Sequence, residues 1–269
     1  MPKSCLTEAS GCKEGKMKRL DFNCYCGNWP FYRVRYNTFE KLSELHARCG
    51  IAGGFVSSCE AIFYQDPYEA ELALSKEIAG TSYQQAMVLN PTLPGWKDDF
   101  IRCVNILGIK AVRLMPGFHG YELTEPVLDE VCDMLRQYRL PLLLTLRIRD
   151  ERSSWMVHPR KLPVDEIAAF LEVNPDIPTV LACLRMNELM KLKEVFRNRN
   201  NLFMDISGLK DGNFIVEKVC DTVGSDHVLY GSSAPILNLQ STTILVEQAE
   251  LSEDRKNDIF SGRYLLQQV

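Results

Sequence analysis

Eight short apolar runs alternate with amphipathic stretches along this chain, roughly 30 residues per unit. That alternation restricts the fold more than any other feature. The runs fall at 18–25 (KRLDFNCY), 51–57 (IAGGFVS), 85–90 (QAMVLN), 109–115 (IKAVRLM), 141–147 (PLLLTLR), 178–184 (PTVLACL), 202–206 (LFMDI) and 227–231 (HVLYG). Helical patterns occupy 37–49, 67–79, 96–107, 124–138, 163–173, 187–199, 212–222 and 239–249, with another near 252–266. In one of them Leu128, Val131, Cys132, Leu135 and Tyr138 recur at helical spacing, which predicts a single apolar stripe laid on a sheet.

Such alternation leaves two architectures, an open doubly wound sheet or a closed eightfold barrel. The count favours closure, and no GxGxxG follows the first strand, so a dinucleotide-binding half has no support. The expected fold is a single TIM (β/α)8 barrel over 18–269, with a polar, aperiodic tail at 1–17. In such a barrel the chemistry sits at the C-terminal ends of the strands, which reduces the search to eight places.

Composition removes several function classes. A formal charge of −4 argues against nucleic acid and membrane surfaces, which select basic patches. No run reaches the roughly 18–20 apolar residues of a membrane helix, and MPKSCLTEASGCKEGKMK lacks the apolar stretch of a secretory signal. Ten cysteines are scattered through strands and helices with no CxxC pair, which predicts reduced thiols in a cytoplasm rather than a disulfide scaffold. The i, i+2 spacing of Cys24 and Cys26 suits one face of a strand.

Several segments resemble, in order, the amidohydrolase-related metal-dependent hydrolases in their decarboxylase-like branch. LDFNCYCGNWPF is similar to that family's opening strand with its D-x-H-x-H motif, and NPTLPGWKDDFIRCVNILGIKAVRLMPGFHGY to its third-strand exit, third helix and fourth strand. NLFMDISGL resembles the seventh strand, VGSDHVLYGSSAPI the eighth, and LSEDRKNDIFSGRYLLQ the last helix. The resemblance implies a barrel and a divalent metal such as zinc, held by His residues on strands one, five and six and an acid ending strand eight. Carried over position by position, those sites fall on Asn23, Tyr25, Thr145, Cys183 and Ser233, none of which is the family residue. No metal is therefore expected here. The same positions become candidate ligand contacts.

The residues themselves supply positive charge. Arg113 lies near the end of the fourth strand, Arg147 and Arg149 follow the fifth, and Arg185 follows the sixth. Guanidinium forks match carboxylate or phosphate oxygens, so these positions predict a pocket for a small anionic ligand, or else ordinary ion pairs with Asp150, Glu151, Glu188 and Asp205. Asp205 and His158 are the candidate acid and base. Cys183 is a candidate nucleophile or a buried structural thiol. Trp29, Phe31 and Trp155 are candidate pocket walls, and 148–162 a candidate lid. An unrelated metal site built from His119, His158, Cys183 and Asp205 is a further alternative. His46, in the first helix, and His227, at the start of the eighth strand, fall away from the barrel mouth.

Two functions follow: a hydrolase or lyase on a small anionic or cyclic substrate, working without the family metal, or a catalytically silent barrel that binds an anionic metabolite or a protein partner. An apolar helix face on the barrel exterior would permit a homodimer.

Overall fold

The computed structural model describes residues 18–148, 158–210 and 212–268. The expected tail at 1–17, Arg149 and Trp155 lie outside these residues, as does most of the expected lid.

Eight strands form one parallel sheet in sequence order. They are β1 (Arg19–Cys26), β2 (Ile51–Ser58), β3 (Tyr83–Leu89), β4 (Ala111–Leu114), β5 (Leu142–Thr145), β6 (Thr179–Ala182), β7 (Leu202–Asp205) and β8 (Val228–Leu229). The helices are α1 (Phe39–Arg48), α2 (Pro67–Ile78), α3 (Trp96–Arg102), α4 (Pro116–His119), α5 (Val127–Tyr138), α6 (Val164–Val173), α7 (Met186–Arg197), α8 (Ile215–Val223), α9 (Leu239–Glu247), α10 (Glu253–Ser261) and α11 (Arg263–Leu266). Backbone bonds close the ring between β1 and the segment after β8. Phe22 N–H donates to Tyr230 O (2.9 Å), Ser233 N–H to Asn23 O (2.6 Å) and Tyr25 N–H to Ala234 O (2.7 Å). The expected TIM barrel is the observed fold.

Two expected helices are each divided. The 96–107 pattern is α-helical to Arg102 and continues as a π-helical turn over Cys103–Leu107. The 252–266 pattern breaks at Gly262, whose φ of +57° ends α10. A Cβ there would meet the Phe22 ring at 2.2 Å, so only glycine lets the chain turn against the barrel floor.

The barrel interior is layered by the two-residue period of its strands. Phe22, Phe55, Ala86, Ala111, Leu143, Val180, Phe203 and Leu229, one from each strand, pack together with Leu265 as an apolar floor. Two residues further along, Ser57, Arg113, Thr145 and Asp205 stand one level above that floor. On β1 the register slips: Asp21 pairs with Gly54 and Cys24 with Val56, so three residues span two of the partner strand. The extra residue allows Phe22 to join the floor while its neighbour Asn23 joins the polar level. Asp21 fixes this bulge by accepting the Asn23 N–H at 3.0 Å.

Candidate functional site

The polar level is a single hydrogen-bonded network at the strand ends. Arg113, from β4, is fully buried. Its Nε donates to Ser57 Oγ (2.8 Å), and its Nη1 donates to Asn23 Oδ1 (2.9 Å), Tyr25 OH (2.7 Å) and Thr145 Oγ1 (2.8 Å). The guanidinium carbon lies 4.6 Å from the centre of the Tyr25 ring. Nη2 has no hydrogen-bond partner among the described residues.

Asn23 carries the network across the barrel. Its Nδ2 donates to Asp205 Oδ2 (2.5 Å) and Ser233 Oγ (2.8 Å). Asp205 also accepts the Cys183 N–H (2.7 Å) and the Ser207 hydroxyl (2.8 and 2.9 Å to its two oxygens). The Cys183 sulfur lies 3.0 Å from Ser207 Oγ and 3.3 Å from Ser233 Oγ. Cys183 and Ser233 both hold positive φ, 61° and 53°, a conformation that side-chain-bearing residues keep only where their surroundings enforce it. Gly231 leaves the necessary room, since a Cβ there would lie 2.6 Å from Asp205 Oδ2.

Asn23, Tyr25, Arg113, Thr145, Cys183, Asp205 and Ser233 are thus brought together, as the sequence positions imply. Sequence reasoning missed Ser57 and Ser207, although each follows an inward-facing residue, Phe55 or Asp205, by two. Arg147, Arg185, His158 and His119 are not among the side chains that bond to one another in this network. Arg147 forms a bidentate pair with Glu188 and donates to Cys183 O (2.6 Å), which ties β5 to α7. Arg185 caps α7, its N–H donating to Glu188 Oε2 (2.9 Å). His158 is exposed. His119 sits in α4 with Nε2 3.1 Å from Ile62 O, and burial lowers its pKa to about 4, so it is neutral.

The four-residue metal set of His119, His158, Cys183 and Asp205 is therefore not assembled. Among the described residues the one tight group of metal-capable side chains is Asp21, Cys24 and His46, all buried. Its atoms are committed to the fold. Asp21 accepts Ser232 N–H (3.0 Å) and Oγ–H (2.5 Å), and His46 Nδ1 lies 2.7 Å from Tyr83 OH. His46, a residue of α1, is on the outer side of the barrel wall, as expected, and is fully buried there against Asp21 and Tyr83.

The network does not fit a divalent ion. A catalytic zinc takes about three ligands from imidazole, thiolate or carboxylate. The carried-over positions offer an amide, a phenol, two hydroxyls and a thiol. Burial raises the Tyr25 phenol well above its usual range, with Arg113 pulling it back, and burial also raises the Cys183 thiol. Both stay protonated. A fixed positive charge already bonds three of the five positions, so a second cation would be repelled.

An apolar layer covers Tyr25 from above. Trp29, Val34, Cys59, Ile62, Met115 and Ile148 pack with it, and Phe31 and Phe118 lie against them. Trp29 meets Phe31 and Phe63 edge-on at 5.5 Å between ring centres, and Phe118 at 6.0 Å. Cys183 is 2% exposed beneath the mouth. Iodoacetamide at pH 8 is expected to leave Cys183 unmodified in the native protein and to label it after unfolding, as read by peptide mass mapping. Rapid native labelling would contradict a sealed centre.

Two buried carboxylates make stability pH-dependent. Burial raises Asp205 to about 6, against the bonds from Cys183, Asn23 and Ser207. Burial likewise raises Glu71, on α2, to about 7, against bonds from Val88 and Gln85. A carboxylate with a raised folded pKa binds its proton more tightly folded than unfolded. Its favourable contribution is complete below the unfolded value and is lost as pH rises through the folded one. Unfolding free energy is therefore expected to rise on acidification from pH 8 to 5, by up to about 1.4 kcal/mol per pH unit for each group. In Glu71→Gln that rise should shrink, and an unchanged slope would remove Glu71 as its source.

Comparison with known proteins agrees with this architecture. The Amidohydrolase family model matches residues 27–262, and the chain belongs to that family. No curated protein matches the sequence. Among solved structures, 2,6-dihydroxybenzoate decarboxylase from Rhizobium superposes with a TM-score of 0.68 at 15% identity, covering 94% of this chain and 99% of that one. 5-Carboxyvanillate decarboxylase from Sphingomonas paucimobilis gives 0.70 at 12%, with coverages of 92% and 97%. The 5-carboxyvanillate decarboxylase of Novosphingobium aromaticivorans, solved with manganese, gives 0.71 at 11%, with coverages of 95% and 97%. At such identities the likeness is one of fold.

Proposed function

We propose that this chain is a metal-independent member of the amidohydrolase family that binds a small anionic ligand without turning it over. Arg113 supplies, from within the chain, the positive charge that a divalent ion supplies in metal-dependent members. The observation that carries this reading is the Arg113 Nη1 bonded at once to Asn23, Tyr25 and Thr145, three positions where the family holds its metal. Asp205 supports it, since both oxygens already accept hydrogen bonds and the residue is fully buried. A carboxylate in that state orders the centre and has no free approach to a substrate proton.

One observation favours a second reading. A carboxyl raised to about 6 suits proton transfer near neutral pH, as a lyase removing a carboxylate would require. The two are separated by incubating the protein with 2,6-dihydroxybenzoate and 5-carboxyvanillate, the acids named for the structural neighbours. Silent binding predicts a raised melting temperature with the acid recovered intact. Carbon dioxide release that disappears in Asp205→Asn would replace it with the lyase reading.

A further inference from the structure

A cleft of about 410 Å³ opens at the same end of the barrel, between the β1–α1 loop and the segment that leads from β8 into α9. Among the described residues, its charged lining is Arg33 and Arg35, and no acid lines it. Both arginines are exposed, and among the described residues neither has an ion-pair or hydrogen-bond partner. Val34, between them, is buried in the apolar layer over Tyr25 and anchors this stretch of loop. The arginines are thus held on a fixed stretch rather than a loose tip. Tyr32, Tyr36 and Ile236 give the cleft flat and apolar walls. The first turn of α9 faces it through Leu239 and Gln240 and carries no acidic residue, so the positive end of that helix adds to the field.

We propose that this cleft binds a small molecule carrying a phosphate monoester on an aromatic or apolar body. Two guanidiniums with no acid nearby match a dianion with three terminal oxygens better than a single carboxylate. The cleft lies in the size range of small-molecule sites, so it accommodates an organic body beside the phosphate. The inference rests on the ligand-binding reading above and gives it a location and a chemical class.

The test is calorimetric titration of the whole chain with phenyl phosphate, inorganic phosphate and benzoate, repeated on Arg33→Ala/Arg35→Ala and on Arg33→Gln/Arg35→Gln. Both arginines are exposed, so the variants should melt with the wild type. Phenyl phosphate is expected to bind once per chain, to be displaced by inorganic phosphate, and to bind at least about tenfold more weakly in both double variants. Equal affinity in the variants would remove the cleft while leaving the ligand-binding reading intact. Benzoate binding as tightly as phenyl phosphate would overturn the phosphate assignment. No binding of any of the three would overturn the cleft, and the two carboxylate acids of the previous section then decide the broader reading on their own.

Discussion

Arg113→Met should lower unfolding free energy by about 3–5 kcal/mol, the usual result of removing one partner from a buried charged network. The guanidinium donates to four side chains that no water reaches. Three of these are hydroxyls, which can still donate once the accepted bond is lost. Asn23 Oδ1 cannot, and its Nδ2 is held by Asp205 and Ser233. The Asp205 carboxyl would also lose the positive charge that lowers its pKa, so it should take up a proton at higher pH. For a chain of this size the loss corresponds to a fall in melting temperature of about 10 °C. Arg113→Lys should fall between the two, because one ammonium keeps the charge but cannot reach Ser57 and Thr145 with the same fork. Thermal and urea unfolding measure both variants. A neutral Arg113→Met would mean that the network is filler around an empty centre.

Trp29→Ala should cost a comparable amount, about 3–5 kcal/mol for a buried aromatic. The indole makes three edge-on ring contacts with Phe31, Phe63 and Phe118 and is 4% exposed. Its Nε1–H has no acceptor among the described residues, which trims the loss. The variant has a second readout. If the aromatic layer is what shuts the centre, its truncation should bring native alkylation of Cys183 within reach of iodoacetamide. Loss of stability with Cys183 still protected would show that other groups close the mouth.

Most of the fold is legible in the sequence because it follows from periodicity. All eight strands and the main helices fall within a few residues of their expected places, since apolar runs and helical stripes are local properties. The polar level was partly legible through resemblance: the positions carried over from the family meet in space because the barrel brings strand ends together. What the sequence could not separate was Arg113 from Arg147. Arg113 stands near the end of β4 and Arg147 just past β5, yet one points into the barrel and the other is claimed by Glu188 at the start of α7. Glu188 three residues after Arg185 is a helix-start signal that could have removed Arg147 and Arg185 from the anion ring. Ser57 and Ser207 were missed because serine carries no chemical signal on its own; only the inward register of their strands selects them.

The central claim is that a guanidinium occupies the place of the metal. It is tested most directly by elemental analysis of protein purified without chelator and again after zinc or manganese supplementation. The account predicts metal far below one ion per chain in both preparations. One tightly held ion per chain, lost in Cys183→Ala and Asp205→Asn but retained in His46→Gln, would contradict it.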